Sequence, residues 1–383
     1  MRAFFLRLAC FCMIGISCVS AQENDSTGSE KSWLIRAAQN LFGSERPPDK
    51  PHFLAYPTIA YAPETRLEIG VSALALFYAK NDYLNNRLSE IKLFSFFTVE
   101  QQYGIWLDHA IYGDRDRWFF LGAIRQQRFP LLYYGIGPET PGDDPILIEA
   151  DYTLVRERVL RKVAPNFFVG LEIDYQRLYR VGFERPAIPQ PLGTGGSRNL
   201  GLGLGLVYDS RHNVLNERDG TFAEIAWLGY RKAWGSDFDF RGIYWDARKF
   251  IPMTADKKQV LALQAAGAFM SGDVPFNQLA MLGGEGLMRG YYMGRYRDRN
   301  YAAAQAEYRF LPFPFSKRLG AAAFFSAGMV APAPDAFRLS QLRPAGGAGL
   351  RFLLFPQKDI FVRFDVGITP EGTGIYFFTG EAF

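Results

Sequence analysis

Residues 282–300 read LGGEGLMRGYYMGRYRDRN, and the interpretation of this stretch decides the fold. Arg289, Arg295, Arg297 and Arg299 fall inside it, Arg309 follows closely, and glycines and tyrosines separate the cations. On charge alone it is a solvated surface loop. What distinguishes it is its setting, because the chain on both sides alternates between apolar and polar residues.

That alternation is the dominant period of the chain. Leu200, Leu202, Leu204 and Leu206 alternate with Gly201, Gly203 and Gly205. A helix gains nothing from that spacing and is weakened by glycine, whereas a strand places all four leucines on one face. Val169, Leu171, Ile173 and Tyr175 alternate with Gly170, Glu172, Asp174 and Gln176. Ile360, Val362, Phe364 and Val366 alternate with Phe361, Arg363, Asp365 and Gly367. After the basic loop, Ala302, Ala304, Ala306, Tyr308 and Phe310 alternate with Gln305, Glu307 and Arg309.

About sixteen such segments of roughly ten residues occur, the length a tilted membrane-crossing strand needs. They start near residues 53, 66, 87, 102, 117, 149, 166, 199, 220, 237, 258, 300, 319, 344, 359 and 374. A soluble sandwich also alternates, so period alone does not separate the two architectures. The number of strands and the charged second face favour a barrel that is apolar outside and polar inside. An even strand count places both termini on the periplasmic side. Connections at 128–148, 179–198, 271–299 and 331–343 then fall outside the cell, with short turns at 113–116, 162–165 and 355–358 on the inner side.

The ends and the composition agree with that architecture. Residues 1–21 read as a secretory signal: Arg2 and Arg7 precede an apolar run, and Val19-Ser20-Ala21 forms a small-residue cleavage site. Cys10, Cys12 and Cys18 all lie there, so the remainder offers no thiol nucleophile, disulfide or cysteine metal site. A lipoprotein reading around Cys18 is the alternative. Residues 22–51 form a short periplasmic segment, in which 33–42 has the pattern of a brief amphipathic helix, and 52–383 form the barrel. Aromatic residues make up 16% of the chain, with 34 Phe and 20 Tyr, as interfacial girdles require. A net charge of +4 is too small to indicate nucleic acid.

Several motifs now acquire meaning. Gly283 and Gly284 precede Met288-Arg289-Gly290-Tyr291 in the basic loop, and Ala306-Glu307-Tyr308-Arg309 follows on the next strand. In this combination, and in TVEQQYG at 98–104 and FPLLYYGIG at 129–137, the chain resembles the BamA/TamA-like outer-membrane barrels of the bacterial surface antigen superfamily. The resemblance runs from about residue 199 to 383, and is to small members lacking periplasmic POTRA domains. It implies an all-β, transmembrane antiparallel β-barrel of about 16 strands, with an extracellular loop between strands 11 and 12 folded back into the lumen.

A guanidinium inside a lumen needs a carboxylate, so Arg289 is expected to pair with Glu307 and with Asp365, both inward by parity. Gly290 provides the tight turn. The family often carries an acid in the thirteenth strand, where Ser326 stands here, so one anionic partner is missing. Asp209, Arg211 and Gly220 resemble the family's turn between strands eight and nine, without its usual proline. Phe383, on the parity of Ile375 and Phe377, resembles the terminal signal read by barrel-assembly machinery. Pro57 in the first strand and Gly380 in the last leave the closing seam short of hydrogen bonds.

Catalysis finds no support: Asp108 and His109 are adjacent on a strand and point to opposite faces, and no serine elbow or histidine metal pair occurs. Neither a metal nor a cofactor is expected. Resemblance implies insertion or translocation of proteins or lipids across the outer membrane. The expected partners are outer-membrane lipid, assembly machinery during biogenesis, and a periplasmic or surface protein. A porin-like solute channel and a structural barrel in a surface complex are the competing readings.

Overall fold

The computed structural model describes residues 50–211, 216–356 and 359–383. The expected signal, the lipoprotein site at Cys18, the periplasmic segment up to residue 49 and His212 lie outside the described residues.

Sixteen long strands close into one antiparallel barrel. They are β1 (His52–Ala62), β2 (Arg66–Tyr78), β3 (Leu88–Thr98), β4 (Tyr103–Tyr112), β5 (Trp118–Arg128), β7 (Ile146–Ala164), β8 (Phe167–Phe183) and β9 (Ser197–Asp209). The second half comprises β10 (Gly220–Tyr230), β11 (Phe240–Pro252), β12 (Gln259–Gly272), β15 (Asn300–Phe310), β16 (Leu319–Ala331), β17 (Arg343–Phe355), β18 (Ile360–Thr369) and β19 (Gly372–Thr379). Short β6 (Leu131–Tyr133) adds to β7, while β13 (Ala280–Leu282) and β14 (Tyr296–Asp298) form a hairpin of their own. No strand start moves more than three residues from its sequence-based position.

The alternation is realised as a two-sided wall. On β8, Leu171 and Ile173 are exposed outward, whereas Glu172 and Asp174 are buried inward. Leu204 and Leu206 on β9 face out, and the glycines between them leave room for the neighbouring wall, where Gly203 lies against the Trp227 carbonyl and Gly201 against the Tyr230 ring. Backbone groups pair between strands around the sheet, as a hydrocarbon surrounding demands.

The loop asymmetry is partial. Long connections occupy 129–145, 184–196, 273–299 and 332–342 at one end, but 63–65, 99–102 and 370–371 at that same end are tight turns. The other end, which carries the strand termini, has connections as long as 79–87 and 210–219. β7 and β8 also run longer than their neighbours, at 19 and 17 residues. Their loop ends cover a small apolar core of Tyr133, Ile146, Ile148, Leu178 and Phe276.

Closure is uneven. The other neighbouring pairs of long strands run in register for eight or more residues, but β1 and β19 share only Tyr61↔Phe377. At Gly380, with φ +94°, the chain leaves the wall, and among the described residues Tyr61↔Phe377 is the one registered pair between these two strands. The register predicts that Tyr61→Cys and Phe377→Cys join on oxidation, in a chain with Cys10→Ser, Cys12→Ser and Cys18→Ser. Mass spectrometry should find the linked peptide. A folded barrel that never forms the bond would contradict this closure.

Candidate functional site

The loop between the eleventh and twelfth barrel strands begins as β12 ends at Gly272 and returns at Asn300. Its hairpin pairs Ala280 with Asp298, Met281 with Arg297 and Leu282 with Tyr296. Gly283 and Gly284 have φ of +111° and +124°, a region closed to most side chains, and the Gly284 amide donates to the Tyr291 carbonyl at 3.1 Å. Leu282, Met288, Tyr291 and Tyr296 pack with Ala303, Val330 and Ala345 of β15, β16 and β17. The Tyr291 hydroxyl donates to the Pro344 carbonyl at 3.1 Å.

Arg289 is fully buried. Its Nη1 donates to Asp365 Oδ2 at 2.6 Å, its Nη2 donates to Glu307 Oε2, and its guanidinium carbon lies 3.6 Å from the centre of the Phe324 ring. The expected residues are thus brought together, but as part of a larger network. Arg309 Nε donates to the second Glu307 oxygen at 2.7 Å. Arg351 Nη1 reaches Asp365 Oδ1 at 2.6 Å, and Arg363 Nη1 reaches Oδ2 at 3.0 Å. Arg351 Nε binds Glu381 at 2.8 Å, and Arg363 also pairs with Glu285 of the loop. Four arginines meet four carboxylates, so no net charge is left in the cluster.

Ser326 sits outside this network, with its hydroxyl directed to the Ala345 carbonyl at 3.4 Å. Phe324, directly across from Glu307 on β16, faces Arg289 instead, and a stacked ring suits a guanidinium. Gly290 has φ +113°, and its amide donates to the Tyr376 hydroxyl at 2.9 Å. Across from it, any side chain at Gly367 would strike the Arg289 carbonyl, so backbone meets backbone there.

The remaining loop cations divide. Arg295 donates to Glu371 at 2.5 Å and to the Thr140 hydroxyl and carbonyl at 2.8 Å each. Arg297 is buried over the Tyr133 ring, at 5.0 Å from its centre, and burial pushes its guanidinium down to about 10. Arg299 is exposed. On the first turn, Glu64 accepts the Met293 amide at 2.6 Å, and burial raises its carboxyl to about 7.

The turn motif is assembled separately, at the end of the barrel that carries the termini. Asp209 is buried; Arg211 donates to it from its amide and Nε at 3.0 and 3.1 Å, and the Tyr112 hydroxyl donates at 3.0 Å. Arg87, not singled out by sequence, ties the turn to β3 through the carbonyls of Asp209 and Arg211, at 2.8 Å each. Gly220 has φ +110°.

Pro57 faces outward on β1 opposite Val71. Phe383 does not continue the outward row of Ile375 and Phe377. Gly380 breaks the strand, Arg309 Nη2 donates to the Phe383 carbonyl at 2.9 Å, and the Phe383 ring approaches Phe250. Electrostatics supply the reason: Glu381, which sits poorly in an apolar strand end, reaches Arg351 when the tail turns inward.

A second charged cluster, also unanticipated, lines β7, β8 and β10. Arg156 donates to Asp174 at 2.8 Å, Arg158 to Glu172 at 2.6 Å and to Glu224, and the Tyr230 hydroxyl to Asp174 at 2.6 Å. Alternation marked Glu172 and Asp174 as inward, but their partners lie on other strands. Among the described residues no group of side chains has the makings of a metal site.

Residues 150–383 match the Omp85 superfamily domain. The fold is similar to BamA from Haemophilus ducreyi lacking POTRA domains 1-3, with a TM-score of 0.56 at 16% identity, covering 86% of this chain and 69% of that one. It is also similar to CdiB from Acinetobacter baumannii, with a TM-score of 0.57 at 10% identity over 86% of this chain and 59% of that chain. CdiB from Escherichia coli gives 0.56 at 11%, over 85% and 62%. No curated protein sequence matches the chain significantly.

Glu307→Ala takes from Arg309 its near carboxylate and leaves Arg289 on Asp365 alone, and a broken buried pair costs about 3–5 kcal/mol. Arg289→Ala leaves both its acids paired with other arginines. Protease cleavage in 282–299 should therefore rise more for Glu307→Ala, with the double variant no worse than Glu307→Ala alone; additive effects would contradict the coupling. The Glu64 carboxyl, raised above its ordinary 4.5, favours the folded loop fully below that value and loses the advantage as pH rises through about 7. Hydrogen exchange at the Met293 amide, corrected for intrinsic rate, should speed up across that window and show no such step in Glu64→Gln.

Proposed function

Because the chain belongs to the Omp85 superfamily of outer-membrane β-barrels, we propose that it assists insertion or translocation of proteins or lipids at the outer membrane of a Gram-negative cell, through its closing seam. The observation that carries this reading is the single registered pair, Tyr61↔Phe377, between β1 and β19. A seam held by one registered pair is the weakest closure of the wall, and a loosely paired strand edge is a template for another strand. The tail from Gly380 to Phe383 is the element that would have to move if β19 were to extend its pairing along β1.

In the same reading, 282–299 is a plug rather than a surface loop. Arg289 pins it to β15 and β18, and Arg295 and Glu64 hold its outer end. The Glu381–Arg351 contact ties the tail to the cluster that holds the plug, so plug and seam would be coupled through Asp365 and Glu307. A plug fastened by ionic contacts to several walls argues against a permanently open solute pore. Substrate delivery by a partner protein in the periplasm or at the surface belongs to the same proposal. The turn around Asp209 and Arg211 is a structural lock in this scheme.

Reconstitution tests the role. Proteoliposomes containing the barrel should speed membrane insertion of a urea-unfolded eight-stranded barrel over empty liposomes. Oxidising the Tyr61→Cys/Phe377→Cys pair should abolish that gain, and reduction should restore it. Equal rates with and without the protein, or with the seam locked, would overturn this function.

A further inference from the structure

One ionisable pair lies on the wrong side of the wall. On β4, Tyr103 and Ile105 are exposed outward and Asp108 points inward to Arg125, at 2.5 Å. His109 therefore faces lipid. It pairs across Gly122 of β5 with Glu157 of β7, which lies between outward-facing Val155 and Val159. His109 Nε2 stands 3.0 Å from Glu157 Oε2, with the two side chains 14% and 34% exposed.

The height of the pair matters. Toward the periplasmic end, four residues along β7, Arg161 covers outward-facing Trp118, as interfacial residues do. Toward the outer end, again four residues away, Thr153 faces Arg177, whose guanidinium covers Tyr179. The pair thus lies about 10 Å from either polar boundary, given the rise and tilt of membrane strands. Outward arginines and lysines elsewhere among the described residues, such as Arg198, Arg241 and Lys249, sit near strand ends. An ionisable pair at mid-depth facing acyl chains is costly even when its two members meet, and a further polar partner on the lipid side lowers that cost.

We propose that this face is a homodimer interface, with a second copy of the chain supplying that partner. Charge complementarity singles out the occupant. Imidazole and carboxyl lie side by side, both in register with Gly122. A twofold axis along the membrane normal, passing outside β5, brings each imidazole opposite the other copy's carboxyl. The result is a closed ring of alternating groups, and twofold symmetry is the commonest mode of association. Gly122 makes the approach possible: a Cβ there would collide with both His109 and Glu157, so the two side chains lie flat against the sheet.

Cross-linking in native outer membranes tests this, in the chain with Cys10→Ser, Cys12→Ser and Cys18→Ser. Ile124→Cys, outward on β5, should give a species of twice the chain mass on oxidation. Phe325→Cys, outward on β16 at the opposite wall, should give little. Adding His109→Leu and Glu157→Leu should lower the Ile124→Cys dimer by about tenfold or more, the effect of losing polar contacts inside lipid. These apolar substitutions suit the bilayer, and heat-dependent migration on gels confirms that the barrel is folded. Equal cross-linking at both positions, undiminished dimer in the leucine variant, or a product with another protein's mass would overturn the proposal.

Discussion

The structure depends on the pairing of buried guanidinium groups with carboxylates inside the barrel wall. An arginine holds its charge, so each one brought out of water must meet an acid in good geometry or, like Arg297, an aromatic ring and backbone carbonyls. Glu307 and Asp365 serve this need for Arg289, Arg309, Arg351 and Arg363 at once, one strand offering the first acid and another the second. Such a network is specific because it is costly to leave incomplete. Removing Glu307 takes from Arg309 its near carboxylate and leaves Arg289 with one, whereas removing Arg289 leaves Glu307 and Asp365 each paired with another arginine.

This constraint connects elements that are far apart in sequence. Arg289 comes from the loop, Glu307 from the strand that follows it, Asp365 from β18 and Glu381 from the tail beyond β19. The same cluster therefore touches the loop, the wall and the chain segment at the seam. Across the barrel, Arg156 and Arg158 with Glu172, Asp174 and Glu224 tie β7, β8 and β10 together in the same way. Outside the wall the rule reverses, and aliphatic and aromatic side chains dominate. His109 and Glu157 break that outer rule at mid-depth, which is why they attract a functional interpretation.

Much of this was legible in the sequence, and the reason is parity. A strand in a two-sided wall must alternate, so the start of each strand and the inward direction of Glu307 and Asp365 could be read directly. Arg289 was legible through the Arg-Gly-Tyr setting and its glycines. Parity does not say which inward residue meets which, because that depends on shear and on neighbours across the barrel. The roles of Arg351 and Glu381 and the Arg156–Asp174 pair are not legible for that reason. Phe324 is not legible because the family pattern points to an acid where Ser326 stands, while a ring one step along the same inward row supplies stacking. Parity places Phe383 on its strand, because nothing in it reveals that Gly380 ends the strand and that Arg309 and Arg351 draw the tail inward. The extra length of β7 and β8 likewise reflects an apolar core formed with distant loops.

Single-channel conductance of the purified barrel in planar bilayers tests the central claim most directly. If ionic contacts through Arg289 hold the loop inside the lumen, the unaltered protein gives small, flickering conductance, and Arg289→Ala raises it several-fold in a folded barrel. Large, steady pores in the unaltered protein, unchanged by Arg289→Ala, would contradict it.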